Sequence, residues 1–187
     1  MTNPAQLHEG ARRPRLATVW LDGCSGCHMS LLDLDARIVE LAAQCDVVYG
    51  PLVDAKTVPE GIDLALIEGA VSSDHDWHLA VALRANSKLL VAFGDCAVTG
   101  NVPSMRNVLP LSAIYQRAFR ETAAQGTEWP SEGLPRLLDR VLPVHQVINV
   151  DLFLPGCPPP ADAIYRVLAD VLAGKQPEPL TLTRFGA

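Results

Sequence analysis

A chain of 187 residues, 49% of them hydrophobic, can bury a sizeable core and most simply forms one domain. Its net charge of -6, with no run of Lys or Arg, leaves no electrostatic footprint for nucleic acid or an anionic membrane. Every hydrophobic run is cut by Asp, Gly, Pro or a charged residue well short of the roughly 18 residues a membrane helix needs, which predicts a soluble protein.

Arg12 and Arg13 invite comparison with a twin-arginine export signal, but only residues 16–21 follow as an apolar stretch before Asp22, and no small-residue cleavage site follows. The expectation is a cytoplasmic protein whose residues 1–15 form a flexible N-terminal arm. In that compartment five Cys are better explained as metal ligands or redox thiols than as disulfides, and the odd number leaves one over.

In chain order, residues 16–21 (LATVWL) predict a buried strand, and residues 29–43 a helix with Leu31, Leu32, Ala36, Val39 and Leu41 as its apolar stripe. Residues 46–49 predict a short second strand. Residues 64–67, within GIDLALIEGAV, predict a third strand buried on both faces, followed by a helix over 76–85 with Ser72, Ser73 and Asp74 as candidate N-caps. Residues 89–93 (LLVAF) predict the fourth strand. A Pro-interrupted region, 102–143, reads as an insertion with one helical stretch over 111–124 and a polar loop over 126–133. Residues 149–154 (NVDLFL) predict the fifth strand, and 161–172 the last helix, stopped by Gly174.

Apolar strands joined by helices imply a parallel sheet covered on both faces, because right-handed crossovers place helices there. Five of them fit an α/β, flavodoxin-like, doubly wound fold. The expected organisation is a single domain over 16–174, including the insertion, followed by an extended tail over 175–187 that lies on a partner. There is no internal repeat and no low-complexity segment.

Four of the five Cys follow a predicted strand: Cys24 and Cys27 the first, Cys96 the fourth, Cys157 the fifth. In an open parallel sheet those strand ends share one edge, where ligands bind, so residues far apart in sequence converge there. Each Cys has a Gly close by (Gly23, Gly26, Gly94, Gly156), which lets backbone approach a sulfur cage and donate N–H bonds. Four thiolates suit an iron-sulfur cluster or a zinc site. The Cys24–Cys27 pair alone also reads as a thioredoxin-like dithiol, and Cys24 to His28 as a haem-attachment pattern. Neither of these uses Cys96 or Cys157, and zinc more often takes two paired CxxC knuckles.

The segment from Trp20 to Asp33 (WLDGCSGCHMSLLD) resembles the opening signature of nickel-iron hydrogenase small subunits. Ile67-Glu68-Gly69-Ala70-Val71, Gly94-Asp95-Cys96-Ala97 and Leu154-Pro155-Gly156-Cys157-Pro158-Pro159 resemble that family's later blocks, in order. The stretch from Gly94 to Pro103 most resembles the small subunit of the cytoplasmic, bidirectional, NAD-reducing class, although many family members carry a glycine pair where this chain has Gly100-Asn101. The homologous subunit of respiratory complex I has two adjacent cysteines in the first motif, whereas Cys24 and Cys27 are separated by two residues.

The resemblance implies one [4Fe-4S] cluster on Cys24, Cys27, Cys96 and Cys157. It also implies a nickel-iron large subunit and flavin or iron-sulfur diaphorase subunits as partners. Hydrogen chemistry then belongs to the large subunit, since this sequence lacks the two CxxC motifs expected to hold nickel and iron, and no catalytic residue is assigned here. Residues beyond Cys157 contain neither Cys nor His, so a single cluster is expected. FMN stays open as a second cofactor on the same edge. The rival readings are an equivalent subunit serving F420 or NADP, and a free-standing thiol oxidoreductase. Glu68, at the same edge, is a candidate proton relay or partner contact, or simply a capped carboxylate. Asp22 is a turn residue or an acceptor of backbone N–H bonds, His28 a helix-start residue, and Cys45 a small buried hydrophobe on the far side of the sheet.

Overall fold

The computed structural model describes residues 12–124 and 132–186. Five strands form one parallel sheet: β1 (Arg15–Trp20), β2 (Asp46–Tyr49), β3 (Ile62–Glu68), β5 (Ser87–Phe93) and β7 (Leu152–Leu154), in the order β2-β1-β3-β5-β7. This is the flavodoxin-like order. The chain steps outward from β1 to β2 and then crosses back to β3, so a switch point lies between β1 and β3.

All seven residues of β3 are buried, as a central parallel strand requires. Strand alternation then divides the core into two layers. Leu64, Leu66, Leu89, Val91 and Phe93 pack with Leu16 and Leu41 against Ile164, Val167, Leu168 and Val171 of α6 (Ala161–Leu172). Ala65, Ile67, Leu90 and Ala92 pack with Ala17 and Val19 against Ala80 and Leu83 of α3 (Asp74–Asn86). Each buried Leu or Ile contributes roughly 1.5–3 kcal/mol, so truncating one at the centre of β3 removes a large part of a domain's net stability.

Local chemistry sets the helix limits. Ser73 accepts from Asp76 N–H while the Asp76 carboxylate accepts from Ser73 N–H, a capping box that starts α3 two residues before the predicted helix. Gly174, with φ 71°, ends α6 as expected.

Four expectations need correction. The single helix over 29–43 is two, α1 (Gly26–Leu32) and α2 (Arg37–Gln44), because Asp35 takes the left-handed conformation with φ 51°. The break turns Leu34 into the core and leaves Val39 exposed, so Val39 is not part of the buried stripe. The insertion is more than a helix and a loop. Its helix is short, α5 (Leu111–Gln116) continued by a π turn over Arg117–Glu121, and β6 (Leu137–Leu142) pairs antiparallel with β4 (Val71–Ser73). Arg106 and Asn107 pin this ribbon, through Arg106 to Ser72 O and Leu138 O and Asn107 to both backbone groups of Val141. Most of the expected polar loop over 126–133, Trp129 included, lies outside the described residues.

The third correction concerns the arm. Residues 1–11 lie outside the described part, but Arg12 to Arg15 are held: Arg12 and Arg15 N–H bond the Asp63 carboxylate, Arg13 caps α2 through Ala42 O and Cys45 O, and Arg15 is in β1. Fourth, the tail expected to be extended makes a 3-10 turn over Pro179–Thr181 and packs back onto the sheet's C-terminal edge. Pro177, Pro179 and Thr183 are buried, Thr183 Oγ1 donates to Pro155 O at 3.0 Å, and Gly186 N–H donates to Asp95 Oδ2 at 2.7 Å. No helix among the described residues is long and apolar enough to cross a membrane.

Candidate functional site

The four Cys of interest all sit at the C-terminal edge of the sheet. Cys24 follows β1, Cys27 lies in the first turn of α1, Cys96 in the first turn of α4 (Asp95–Thr99) after β5, and Cys157 follows β7. Cys24 and Cys157 are exposed, Cys27 is buried and Cys96 is intermediate; all are free thiols. They stand close enough to affect one another's ionisation. Burial, then the Glu68 carboxylate, then the other three thiols push Cys27 far above its ordinary range. Burial, Cys157 and Cys24 push Cys96 up to about 11 against a single Val102 N–H bond that lowers it. Cys27 and Cys96 are therefore poor thiolates on their own, a cost that positive charge from a metal centre offsets by displacing protons. Among the described residues, no three His, Cys, Asp or Glu side chains surround a single-ion site. A cage of several irons needs only one thiolate at each corner.

The loops are held by carboxylates and glycines. Glu68, buried at the end of β3, accepts from Cys27 N–H at 3.2 Å and His28 N–H at 2.9 Å, and its Oε2 also meets His28 Nδ1. It is therefore a capping group for α1, supplied from another strand, that fixes the Cys24–Cys27 turn. Asp95, also buried, accepts from Gly156 N–H through Oδ1 at 2.6 Å while its own N–H donates to Gly156 O, tying the Cys96 and Cys157 loops together. Ser30 Oγ donates to Pro159 O at 2.6 Å and joins α1 to the Cys157 loop.

Gly94, with φ 85° and ψ 161°, is in a region only Gly adopts readily, and a Cβ there would lie 2.1 Å from Cys27 Sγ. Gly156, with φ 136°, would place a Cβ 2.5 Å from Pro159 Cα. These close approaches fit a backbone folded tightly around sulfur.

Of the other residues, Asp22 fixes its loop through its backbone, bridging Ala70 in both directions. Cys45 caps α2 and is buried beside the N-terminal end of β2, away from the thiol edge. Its thiol is pushed up mainly by burial. His28 lies in α1 as expected, with Nε2 buried and unpartnered. Ser30 and Asn101, whose Nδ2 lies 3.4 Å from Cys157 Sγ, carry no sign in the sequence of a place in the site. Asp95 alone carries a signal, as an acidic residue between a strand-end Gly and a Cys. Beside the Cys24–Cys27 turn a largely apolar cavity of about 450 Å3 opens between β1, β2, α1 and α2, edged by the exposed Trp20, Met29, Leu32, Val47 and Leu52.

Residues 24–171, from the first thiol to the last helix, match the family described as NADH ubiquinone oxidoreductase, 20 Kd subunit. The chain belongs to this family. Within the 20 kDa subunit family its relatives include hydrogenase subunits. It is 36% identical over 178 residues to the NAD-reducing hydrogenase HoxS subunit delta of Cupriavidus necator, covering 92% of this chain and 85% of that one. It is also 36% identical over 166 residues to a subunit of the F420-non-reducing hydrogenase vhu of Methanocaldococcus jannaschii, covering 88% of this chain but only 58% of that one. The fold superposes on a chain of the NAD+-reducing [NiFe]-hydrogenase crystallised in its H2-reduced state, with a TM-score of 0.88, 40% identity, and coverage of 93% and 99% of the two chains.

Proposed function

We propose that this chain is a cytoplasmic electron-transfer subunit that holds one [4Fe-4S] cluster on Cys24, Cys27, Cys96 and Cys157. It would relay electrons between the Ni-Fe site of a large subunit and an NAD-reducing diaphorase module. The observation that carries the proposal is the gathering of four free thiols from three loops at the C-terminal edge of one sheet, each loop fixed by a buried carboxylate or by a glycine. The donor set suits iron and sulfide, and when bound the cluster supplies one-electron redox chemistry. The protein's own part is to bury the cluster partly, present N–H groups to the sulfurs and leave Cys24 and Cys157 near the surface, where a partner's centre can approach.

A thiol oxidoreductase would leave Cys96 and Cys157 without a use. A flavin phosphate has no cradle in the first strand-to-helix loop, because Cys27 N–H and His28 N–H are already bonded to the Glu68 carboxylate, which would repel it. The proposal therefore includes no FMN.

Docking of partners is supported by the ring of exposed apolar residues beside the Cys24–Cys27 turn, and by Val102, Met105 and Val108 beyond the Cys96 loop. Apolar area on both sides of the thiol edge is what covering subunits would remove from water. The whole of residues 16–174, insertion included, would act as one cluster-bearing domain between them.

NAD is favoured as the carrier by the structural match to an NAD+-reducing hydrogenase along nearly its whole chain. The F420-non-reducing hydrogenase relative, 36% identical like the NAD-reducing one, is named only by the carrier it does not reduce. One experiment addresses both. In the complex purified without air, H2 should raise the electron paramagnetic resonance of the reduced cluster, and NAD+ should discharge it. A signal that H2 does not raise would contradict the relay; discharge by another carrier but not by NAD+ would move the assignment to that carrier.

A further inference from the structure

Cys157 is an exposed corner of the site, and among the described residues one polar side chain reaches its sulfur. Asn101 Nδ2 lies 3.4 Å from Cys157 Sγ, a hydrogen-bond distance for sulfur. A thiolate only accepts, so the amide N–H faces it.

The side chain is aimed by its backbone. Asn101 has φ 30°, a positive value that Asn tolerates better than most residues. Its N–H donates to Thr99 Oγ1 at 3.3 Å, and its carbonyl accepts from Ser104 N–H at 3.2 Å and Ser104 Oγ at 2.7 Å. The next residue, Val102, turns its N–H toward the Cys96 loop and lowers that thiol's pKa against the burial that raises it. One tight turn thus carries a side-chain donor to Cys157 and lies against the Cys96 loop. Only the side-chain donor depends on which residue occupies the turn.

We propose that Asn101 sets the reduction potential of the centre, holding it higher than the fold alone would. The inference rests on the cluster assignment above. Reduction adds one electron and one negative charge to the cluster, breaks no bond and moves no proton at Asn101. A donor at Cys157 sulfur stabilises the more negative, reduced state more than the oxidised one, which raises the potential. Gly at this position, which also accepts the positive φ, would keep the turn and omit the donor.

The test is a potentiometric titration, followed by electron paramagnetic resonance, of the anaerobically purified complex carrying wild-type, Asn101→Gly or Asn101→Asp chains. The signal belonging to this chain is identified by its loss in Cys157→Ala. At the wild-type midpoint potential, the ratio of reduced to oxidised cluster should fall about tenfold in Asn101→Gly, a downward shift of about 59 mV for a one-electron couple. Asn101→Asp should fall at least as far, because a negative charge replaces the donor. The titration reads only loaded molecules, so a variant with lower cluster content still gives a potential. A wild-type midpoint in Asn101→Gly, or an equal or higher one in Asn101→Asp, overturns the proposal while leaving the cluster assignment intact. A wild-type complex without a cluster on this chain overturns both.

Discussion

Strand β3 carries a buried carboxylate near each end, and the two edges of the sheet treat them in opposite ways. At the N-terminal edge, Asp63 meets Arg12 at 2.6 Å and Lys88 at 3.1 Å and accepts from Arg15 N–H, so charge is answered by charge. At the C-terminal edge, Glu68 accepts backbone N–H groups of the Cys24–Cys27 turn and contacts His28, while Asp95 accepts from Gly156 and Gly186. The first arrangement fastens the start of β1 to the sheet. The second shapes loops. Ion pairing at one end of the strands and backbone capping at the other thus do different work, the first on the frame and the second on the thiol loops.

The comparison breaks most visibly at Gly94. Gly94→Ala should cost more than about 3 kcal/mol, since it forces a Gly-only backbone and drives a Cβ onto Cys27 sulfur. Thermal unfolding and the visible absorbance of the purified variant would both register the loss. Glu68→Ala comes next. It leaves the buried Cys27 N–H and the half-buried His28 N–H without their acceptor, at roughly 1–3 kcal/mol, and should also loosen the Cys24–Cys27 turn enough to lower iron content. A variant with wild-type stability in urea would show that the cap is dispensable.

Asp63→Asn sharpens the other half of the comparison. Burial alone would raise the Asp63 carboxyl, but the bonds from Arg12, Arg15 N–H and Lys88 outweigh it and hold it below its usual value. A depressed folded value means that the stabilisation is complete above the unfolded value near 4 and is lost as pH falls through the folded one. Arg12 is half exposed, so about 1–2 kcal/mol is expected at pH 7. The gap between Asp63→Asn and wild type in urea unfolding should narrow below about pH 4, with iron content unchanged at pH 7. A gap that widens on acidification would reverse the sign of this account.

The smallest effect belongs to Cys45. Cys45→Ala should cost about 1 kcal/mol of packing and leave iron and electron transfer intact, because the thiol is buried near the N-terminal end of β2. Reduced iron in Cys45→Ala would mean that the far edge communicates with the thiols.

The same division explains what the sequence reveals. Strand interiors such as residues 64–67 and 89–93 announce themselves by continuous apolar residues, and the four Cys follow their strands with Gly beside them, so the sheet, its class and the thiol edge are readable from residue types and spacing alone. The supports are not. Glu68 caps a helix that lies elsewhere in the sequence, and a carboxylate at a strand end carries no mark of the N–H groups it will meet. Asp35 breaks a helix that apolar periodicity alone would continue. The tail reaches Asp95 through one backbone N–H, a contact set by geometry and invisible in residue type. The β4–β6 ribbon escapes notice because a three-residue strand beside a Pro-rich segment falls below any periodic signal.

The central claim, one [4Fe-4S] cluster on four named thiols, is tested most directly by assaying iron and acid-labile sulfide in the anaerobically purified chain and in Cys96→Ala and Cys157→Ala. The account predicts about four iron and four sulfide per wild-type chain, with loss or degradation of the cluster in both variants. Full iron content in both variants, or a wild-type chain free of iron, would contradict it.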